Sequence, residues 1–234
     1  MNNLSLASAL LFEPRKAFDE IGQRPRYGFA LLLAIASSVA VIVWYRSVVD
    51  LAWLTDQTLR ANQFVLSRLS EAQIEEQVKR ASERSGLGTV FAGVGTALGT
   101  IIAYLISTLY MMLAGKITNV QRSFRQWFAF ISWANLPNAL SLIPSGFVLL
   151  SATTTQILQA DLKPLSLNAL LFQLAPTEPG YTLLSYIDLI QIFCMYLSVV
   201  GVKVWSGRSW LFSTVFALLP AALVFGIWAL ISLR

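Results

Sequence analysis

The chain has 234 residues and a formal net charge of +5, yet only 12% of its residues are charged, against about 25% in a soluble domain. Because 56% are hydrophobic and mean hydropathy is +0.64, the composition indicates an integral membrane protein. The absence of His and the single Cys, Cys194, exclude Ser-His-Asp and Cys-His catalysis, His-ligated zinc or haem, and any intrachain disulfide.

Five apolar stretches are each long enough for a helix to cross a hydrocarbon core of about 30 Å. Their continuous hydrophobicity differs from the alternating pattern of a transmembrane β-barrel. The sequence therefore predicts an all-α fold: a polytopic bundle of five transmembrane helices with short interfacial helices, forming one membrane domain over residues 1–234. The first stretch is expected to be an uncleaved span, because its apolar run continues past the small residues at 37–40. The five predicted spans lie at about residues 27–45, 87–115, 127–150, 183–202 and 210–233.

Charged residues between the spans indicate the orientation. Nine Lys and Arg residues fall in the N-terminal segment and in the second-to-third and fourth-to-fifth connections. The other side has Lys163, Arg234 and a long first loop, 46–86, in which six basic residues accompany six acids. Because long loops translocate with less regard to charge, the short segments decide, and they place the N-terminus in the cytoplasm and the C-terminus outside.

Three segments between the spans carry structural signals of their own. Residues 13–22 begin with a Pro suited to a first helical turn and end on Gly22, so they predict a short helix, either in the membrane interface or packed on the bundle. Ser70 and Gln73 have capping-box spacing, and Gly86 suits the C-cap of the helix that follows them. That helix is expected to be solvated, with a partner-docking arm as the alternative. The apolar loop 151–182 is expected to be half-buried or re-entrant.

Small residues recur every fourth position in the second span. One row contains Gly95, Gly99 and Ala103, and a parallel row runs from Gly88 to Thr100. Such rows let helix backbones approach closely, so helix packing is the expected role of Gly95, Gly99 and Ala103. A backbone-lined ion path is the alternative.

Polar side chains inside the third and fourth spans form a candidate intramembrane polar site. Asn135 and Asn138 flank Pro137, which removes a backbone donor and should kink or break the third span. Asp188 is the only ionisable residue inside the predicted spans, and Gln191 follows one turn later. Two interpretations stay open: a structural kink with a structural polar contact, or a broken helix and carboxylate that handle an ion or proton.

Other chemistry is not indicated by the sequence. The glycines at 93–99 lack the preceding strand and the following Lys-Ser/Thr of a phosphate-binding loop. No pair of carboxylates is spaced for acid–base catalysis, and the basic residues form no stripe for nucleic acid. We therefore expect a non-enzymatic protein that uses no cofactor or metal and binds no nucleic acid.

Four short motifs follow one another along the chain. The segment LFEPRKAFDEIGQRP precedes the first span, FISWANLPNAL lies in the third, and SLNALLF comes before YIDLIQIFCMYLSVVGVKVWSGRS in the fourth. In their order and spacing these motifs resemble the Ypt-interacting-protein (Yip) family. The resemblance extends from about Leu11 to Ala222 and implies a five-helix membrane bundle with a cytoplasmic N-terminus. The chain departs from eukaryotic members by lacking their Asp-Leu-Tyr-Gly-Pro motif, so it resembles a bacterial-type member.

The resemblance and the composition together suggest a function. Eukaryotic Yip members bind Rab-type GTPases in vesicle traffic, so a small GTPase partner is expected here only if that role carries over. The primary hypothesis is a membrane organiser or scaffold in the bacterial inner membrane, acting through the lipid bilayer or through unknown protein partners, with homo-oligomerisation left open. The alternative is a small transporter or channel that uses the kinked third span and Asp188.

Overall fold

The computed structural model describes residues 1–61 and 67–232, and these residues form helices connected by turns and loops. The only pairing of extended backbone among them is an antiparallel bridge between Ser166 and Asp188. The eleven α-helices of the described residues are α1 (Asn3–Phe12), α2 (Pro14–Gln23), α3 (Gly28–Val48), α4 (Leu51–Arg60), α5 (Glu71–Glu83), α6 (Ser85–Ile117), α7 (Phe124–Ala134), α8 (Leu142–Ser151), α9 (Tyr181–Tyr186), α10 (Leu189–Ser206) and α11 (Trp210–Ser232).

Four of these helices, α3, α6, α10 and α11, are long and apolar enough to cross a membrane. This confirms an all-helical membrane protein but not five long helices. The predicted fifth span ended at residue 233, which lies outside the described residues. The predicted third span is divided into α7, a 3-10 helix over Leu136–Ser141, and α8. Pro137 lies in the first turn of the 3-10 helix, where its missing N–H prevents α7 from continuing.

The four long helices and the divided segment pass alternately between two ends of the bundle. The start of α3, the end of α6 and the start of α7 meet at one end, where Arg125 Nε donates to the carbonyl of Pro25 and Gly115 approaches Trp127. At the other end, the Tyr45 hydroxyl donates to the carbonyl of Ile157, 2.8 Å away, just beyond α8. The divided segment therefore runs the length of the bundle beside α3.

The helical hairpin formed by α1 and α2 is built into the bundle. Leu10, Phe18 and Ile21 are completely buried and join the main core with residues of α7 and α10. Residues 13–22 thus form the predicted helix. Of the two positions predicted for it, in the membrane interface or packed on the bundle, the helix occupies the second. The helix extends to Gln23, one residue past the Gly22 that was expected to lie beyond its end.

The capping box that begins α5 is confirmed. The Ser70 hydroxyl accepts from the Gln73 N–H, and the Gln73 side chain accepts from the Ser70 N–H, 2.8 Å away. The helix ends earlier than predicted, with Arg84 as its C-cap, because Gly86 already lies in the first turn of α6. An Arg60–Glu71 ion pair links α5 to α4, so these two helices pack against each other.

The small-residue prediction is corrected by the way α6 packs. Gly93 faces α3, where an added Cβ would lie 3.4 Å from Val43. Gly95 and Gly99 are exposed, and an added Cβ would meet nothing within 4 Å. Ala103 is also exposed, at the edge of a cavity between the helices. Residues two apart lie about 200° apart around a helix, so packing through Gly93 turns Gly95 and Gly99 away from α3.

Candidate functional site

Asp188 occupies the start of α10 and is not part of a continuous span. Helix α9 ends at Tyr186, and the backbone is extended at Asp188, where it pairs with Ser166. The Asp188 carboxylate accepts from the Gln191 N–H at 2.8 Å and thereby caps α10. The 18 residues of α10 span about 27 Å, so Asp188 lies far from the helix end at Ser206. The predicted uninterrupted fourth span is thus replaced by two helices that meet at this carboxylate.

Lys163 is a partner of Asp188 that the sequence interpretation missed. Its Nζ lies 3.5 Å from the Asp188 carboxylate and donates to the Tyr186 carbonyl at 3.2 Å. The Lys163 side chain is 39% exposed, whereas that of Asp188 is 11% exposed. Lys163 is the only basic residue in the loop 151–182, and this could have marked it as a partner for the carboxylate. The pairing was not predicted because Lys163 and Asp188 are far apart in sequence.

Asp188, Gln191 and Asn138 line one cavity of about 430 Å³. The cavity lies between α3, α6, the 3-10 turn of the divided segment and the start of α10. Hydroxyl groups dominate its polar surface, from Ser37, Ser38, Thr96, Thr100, Tyr104, Ser141 and Ser145. Asn135 faces a neighbouring cavity of about 450 Å³, which Gln191 also reaches. The structure therefore brings three of the four predicted polar residues together and places the fourth next to them.

The hydrogen bonds around the cavity leave some lining groups without a protein partner. Ser145 donates to the Leu162 carbonyl at 2.8 Å, and Ser37 donates to its own helix backbone. Tyr104 is 8% exposed, and its hydroxyl makes no hydrogen bond within residues 1–61 and 67–232. A buried hydroxyl that faces a polar cavity can be satisfied by water or by a ligand. The cavity can therefore hold a small hydrogen-bonding molecule beside one ion pair.

The other half of the bundle is filled by aromatic side chains. The rings of Phe18 and Phe130 lie 5.0 Å apart, and Trp205 contacts both Phe130 and Trp127 at centroid distances of 5.0 and 5.1 Å. All four residues belong to the main core. The polar cavity is thus confined to the half that contains Asp188.

The aromatic half ends in a strongly positive surface, here called the basic end, and its nine cations are those that indicated the orientation. The acids in the same segments are Glu13, Asp19 and Glu20, which leaves a formal surplus of six positive charges. Arg125 donates to the Pro25 carbonyl and Arg122 to the Trp205 carbonyl, so residues distant in sequence converge here. The basic end consists of Arg15, Lys16, Arg24, Arg26, Lys116, Arg122, Arg125, Lys203 and Arg208.

Among the residues that the structure describes, no group of three His, Cys, Asp or Glu side chains is placed to hold a metal ion. Cys194, the single cysteine of the sequence, is buried beside the second cavity.

Four helices long and apolar enough to cross a membrane, with a buried N-terminal hairpin packed against them, define a polytopic helical membrane protein. The family model of the Yip1 domain matches residues 8–231, nearly the whole chain. The chain therefore belongs to the Yip1 domain family, which confirms the resemblance seen in its motifs. No curated protein and no solved structure matches it.

Proposed function

We propose that this protein is a non-enzymatic organiser or scaffold of the membrane, acting through lipids or protein partners. The observation that carries this proposal is the α1–α2 hairpin, which is fixed in the core at the basic end. Its outer surface leaves Leu4 72% and Phe12 81% exposed beside a surplus of positive charge. Exposed apolar side chains beside cations are typical of helices that lie in the interface of an anionic membrane.

The proposed topology follows from the same charge distribution. The divided segment α7–α8 acts as a fifth crossing, since the start of α7 contacts Pro25, just before α3, and α8 contacts Trp44, near the end of α3. The basic end then faces the cytoplasm and the end near Asp188 faces outward, as the positive-inside rule favours. The bacterial inner membrane is the proposed location.

The organiser proposal can be tested through the mobility of the protein in living cells. Leu4→Gln with Phe12→Gln removes the exposed apolar groups of the hairpin. Leu171→Gln with Phe172→Gln is a matched control at the opposite end, where these side chains are 70% and 54% exposed. Single-molecule tracking should show faster diffusion and fewer clusters for the hairpin variant alone, at unchanged folded yield. Wild-type mobility in both variants would contradict the proposal.

A small transporter or channel is the second candidate, and the polar cavity favours it. A cavity lined by hydroxyls and a carboxylate within a helical bundle is a common setting for a solute site. The aromatic core that fills the other half of the bundle favours the organiser instead. Stopped-flow light scattering of proteoliposomes in glycerol or urea gradients separates the two candidates. Recovery faster than that of protein-free liposomes would support transport, and equal recovery would support the organiser.

A further inference from the structure

A groove opens between the corner of the α1–α2 hairpin and the helices α10 and α11. Residues 12–16 form its hairpin wall, which includes the Glu13–Lys16 ion pair, and Tyr196, Val200 and Trp210 form the opposite wall. Its volume is about 650 Å³. Phe12, Tyr196 and Trp210 are 81%, 52% and 45% exposed, so the aromatic surface of this hairpin groove remains uncovered by the chain itself.

Positive charge is concentrated at one end of the hairpin groove. The Arg15 guanidinium lies 5.7 Å from the centre of the Trp210 ring, and the Lys203 Nζ lies 5.9 Å from it. Neither cation has a carboxylate within 4 Å among the described residues, whereas Lys16 is neutralised by Glu13 at 3.1 Å. Two unneutralised cations therefore flank an aromatic ring of the kind found at headgroup level.

The other end of the hairpin groove is apolar and lies deeper in the bundle. Tyr196 precedes Lys203 by seven residues on α10, which places it about 10 Å away along the helix axis. The side chains along the groove therefore change from cationic to aromatic and aliphatic. This change takes place over the depth of one headgroup and the first part of an acyl chain. An acidic peptide would match only the cationic end, and a free phosphate would leave the aromatic wall uncovered.

We infer that the hairpin groove binds an anionic phospholipid. Arg15 and Lys203 hold the headgroup phosphate, Trp210 lies between them, and an acyl chain packs on Tyr196 and Val200. The surplus positive charge of the basic end adds long-range attraction for anionic lipid over neutral lipid. This inference rests on the proposed organiser function and names a lipid class as its partner.

Native mass spectrometry of the full chain in detergent tests the inference, with phosphatidylglycerol and phosphatidylcholine as probes. Arg15→Gln with Lys203→Gln removes the two cations that flank the Trp210 ring. Arg24→Gln with Lys116→Gln is the matched control, because it removes the same charge from the basic end outside the groove. The wild-type protein should retain one phosphatidylglycerol in preference to phosphatidylcholine. The groove variant should lose at least about tenfold in affinity for it, and the control much less.

Two further measurements identify the ligand and guard against misfolding. Tyr196→Gln removes part of the apolar wall without changing charge and should also weaken phosphatidylglycerol binding. Soluble glycerol 3-phosphate should not compete, since it lacks the acyl chains. Equal losses in the groove and control variants, or no preference for phosphatidylglycerol, would overturn the inference. Competition by glycerol 3-phosphate would also overturn it, in favour of a phosphate site.

The lipid inference and the organiser function can fail separately. If the groove variant loses phosphatidylglycerol in vitro, the binding site stands whatever happens to mobility in cells. If diffusion is unchanged when Leu4 and Phe12 are replaced, the organiser function fails and the lipid site remains. Tracking the groove variant in cells then tells whether the bound lipid serves that function.

Discussion

The indole nitrogen of Trp205 donates a hydrogen bond to the backbone carbonyl of Phe18 at 2.8 Å, across 187 positions of sequence. The bond joins the last turn of α10 to the middle of α2. Both side chains are buried, at 7% and 0% exposure. The N-terminal hairpin is therefore part of the folded core, and changes at its contact with α10 should affect the stability of the whole bundle.

Trp205→Phe should lower the thermal stability of the protein in detergent. Phenylalanine keeps an aromatic ring against Phe130 but loses the donor to Phe18 and part of the indole volume, at a cost of about 1–3 kcal/mol. Trp210→Phe is the matched control, because Trp210 is 45% exposed. A melting temperature that falls equally in both variants would contradict a specific role for the Trp205 bond.

Gly201→Ala should destabilise the bundle more than Gly99→Ala does. An added Cβ at Gly201 would lie 2.8 Å from the Phe18 ring and closer still to Phe130, and both rings are fixed in the core. Overpacking of this kind costs about 1–3 kcal/mol. Gly99→Ala is the control and should be neutral or slightly stabilising, since nothing lies within 4 Å of its added Cβ. A loss at Gly99 would point to helix packing there, as the sequence suggested.

Local signals in the sequence predicted local structure well. The capping box at Ser70 depends on residues three positions apart, and it forms as expected. Pro137 marks the break in the third span because its effect is on its own backbone. Periodicity likewise identifies rows of small residues on α6, but it carries no information about which side of the helix meets a neighbour. Tertiary packing determines that Gly93, and not Gly99, lies against α3.

Long-range pairing explains what the sequence interpretation missed at the polar site. Hydropathy treats residues 183–202 as one apolar run, whereas the backbone of Asp188 leaves the helix to pair with Ser166. The Lys163–Asp188 pair and the hydroxyl-lined cavity depend on the position of the loop 151–182. The polar residues singled out inside the predicted spans line this cavity and the one next to it. Their partners could not be found without the fold.

Cysteine labelling tests the proposed fifth crossing and its orientation. With Cys194 replaced by Ala, Gln121→Cys lies before the divided segment and Thr177→Cys after it, and both positions are exposed. A membrane-impermeant maleimide added to intact cells should label Thr177→Cys, together with Ser82→Cys, but not Gln121→Cys. Labelling of Gln121→Cys alone would reverse the orientation. Equal labelling of Gln121→Cys and Thr177→Cys would mean that the divided segment does not cross.

Substitutions at Asp188 separate a structural carboxylate from a transport site. Asp188→Asn keeps an acceptor for the Gln191 N–H and should cost less than about 1 kcal/mol, because Asn is also a good N-cap. Asp188→Leu removes the acceptor and leaves Lys163 unpaired, so a loss of about 1–3 kcal/mol is expected. Lys163→Gln is the control for the ion pair, and it should have a small effect because that side chain is 39% exposed. Melting temperatures in detergent test whether Asp188→Leu is the most destabilising of these three variants.

Proteoliposomes test the transport alternative. If they show solute flux, and Asp188→Asn folds normally but abolishes that flux, the carboxylate acts in transport and the structural interpretation is wrong.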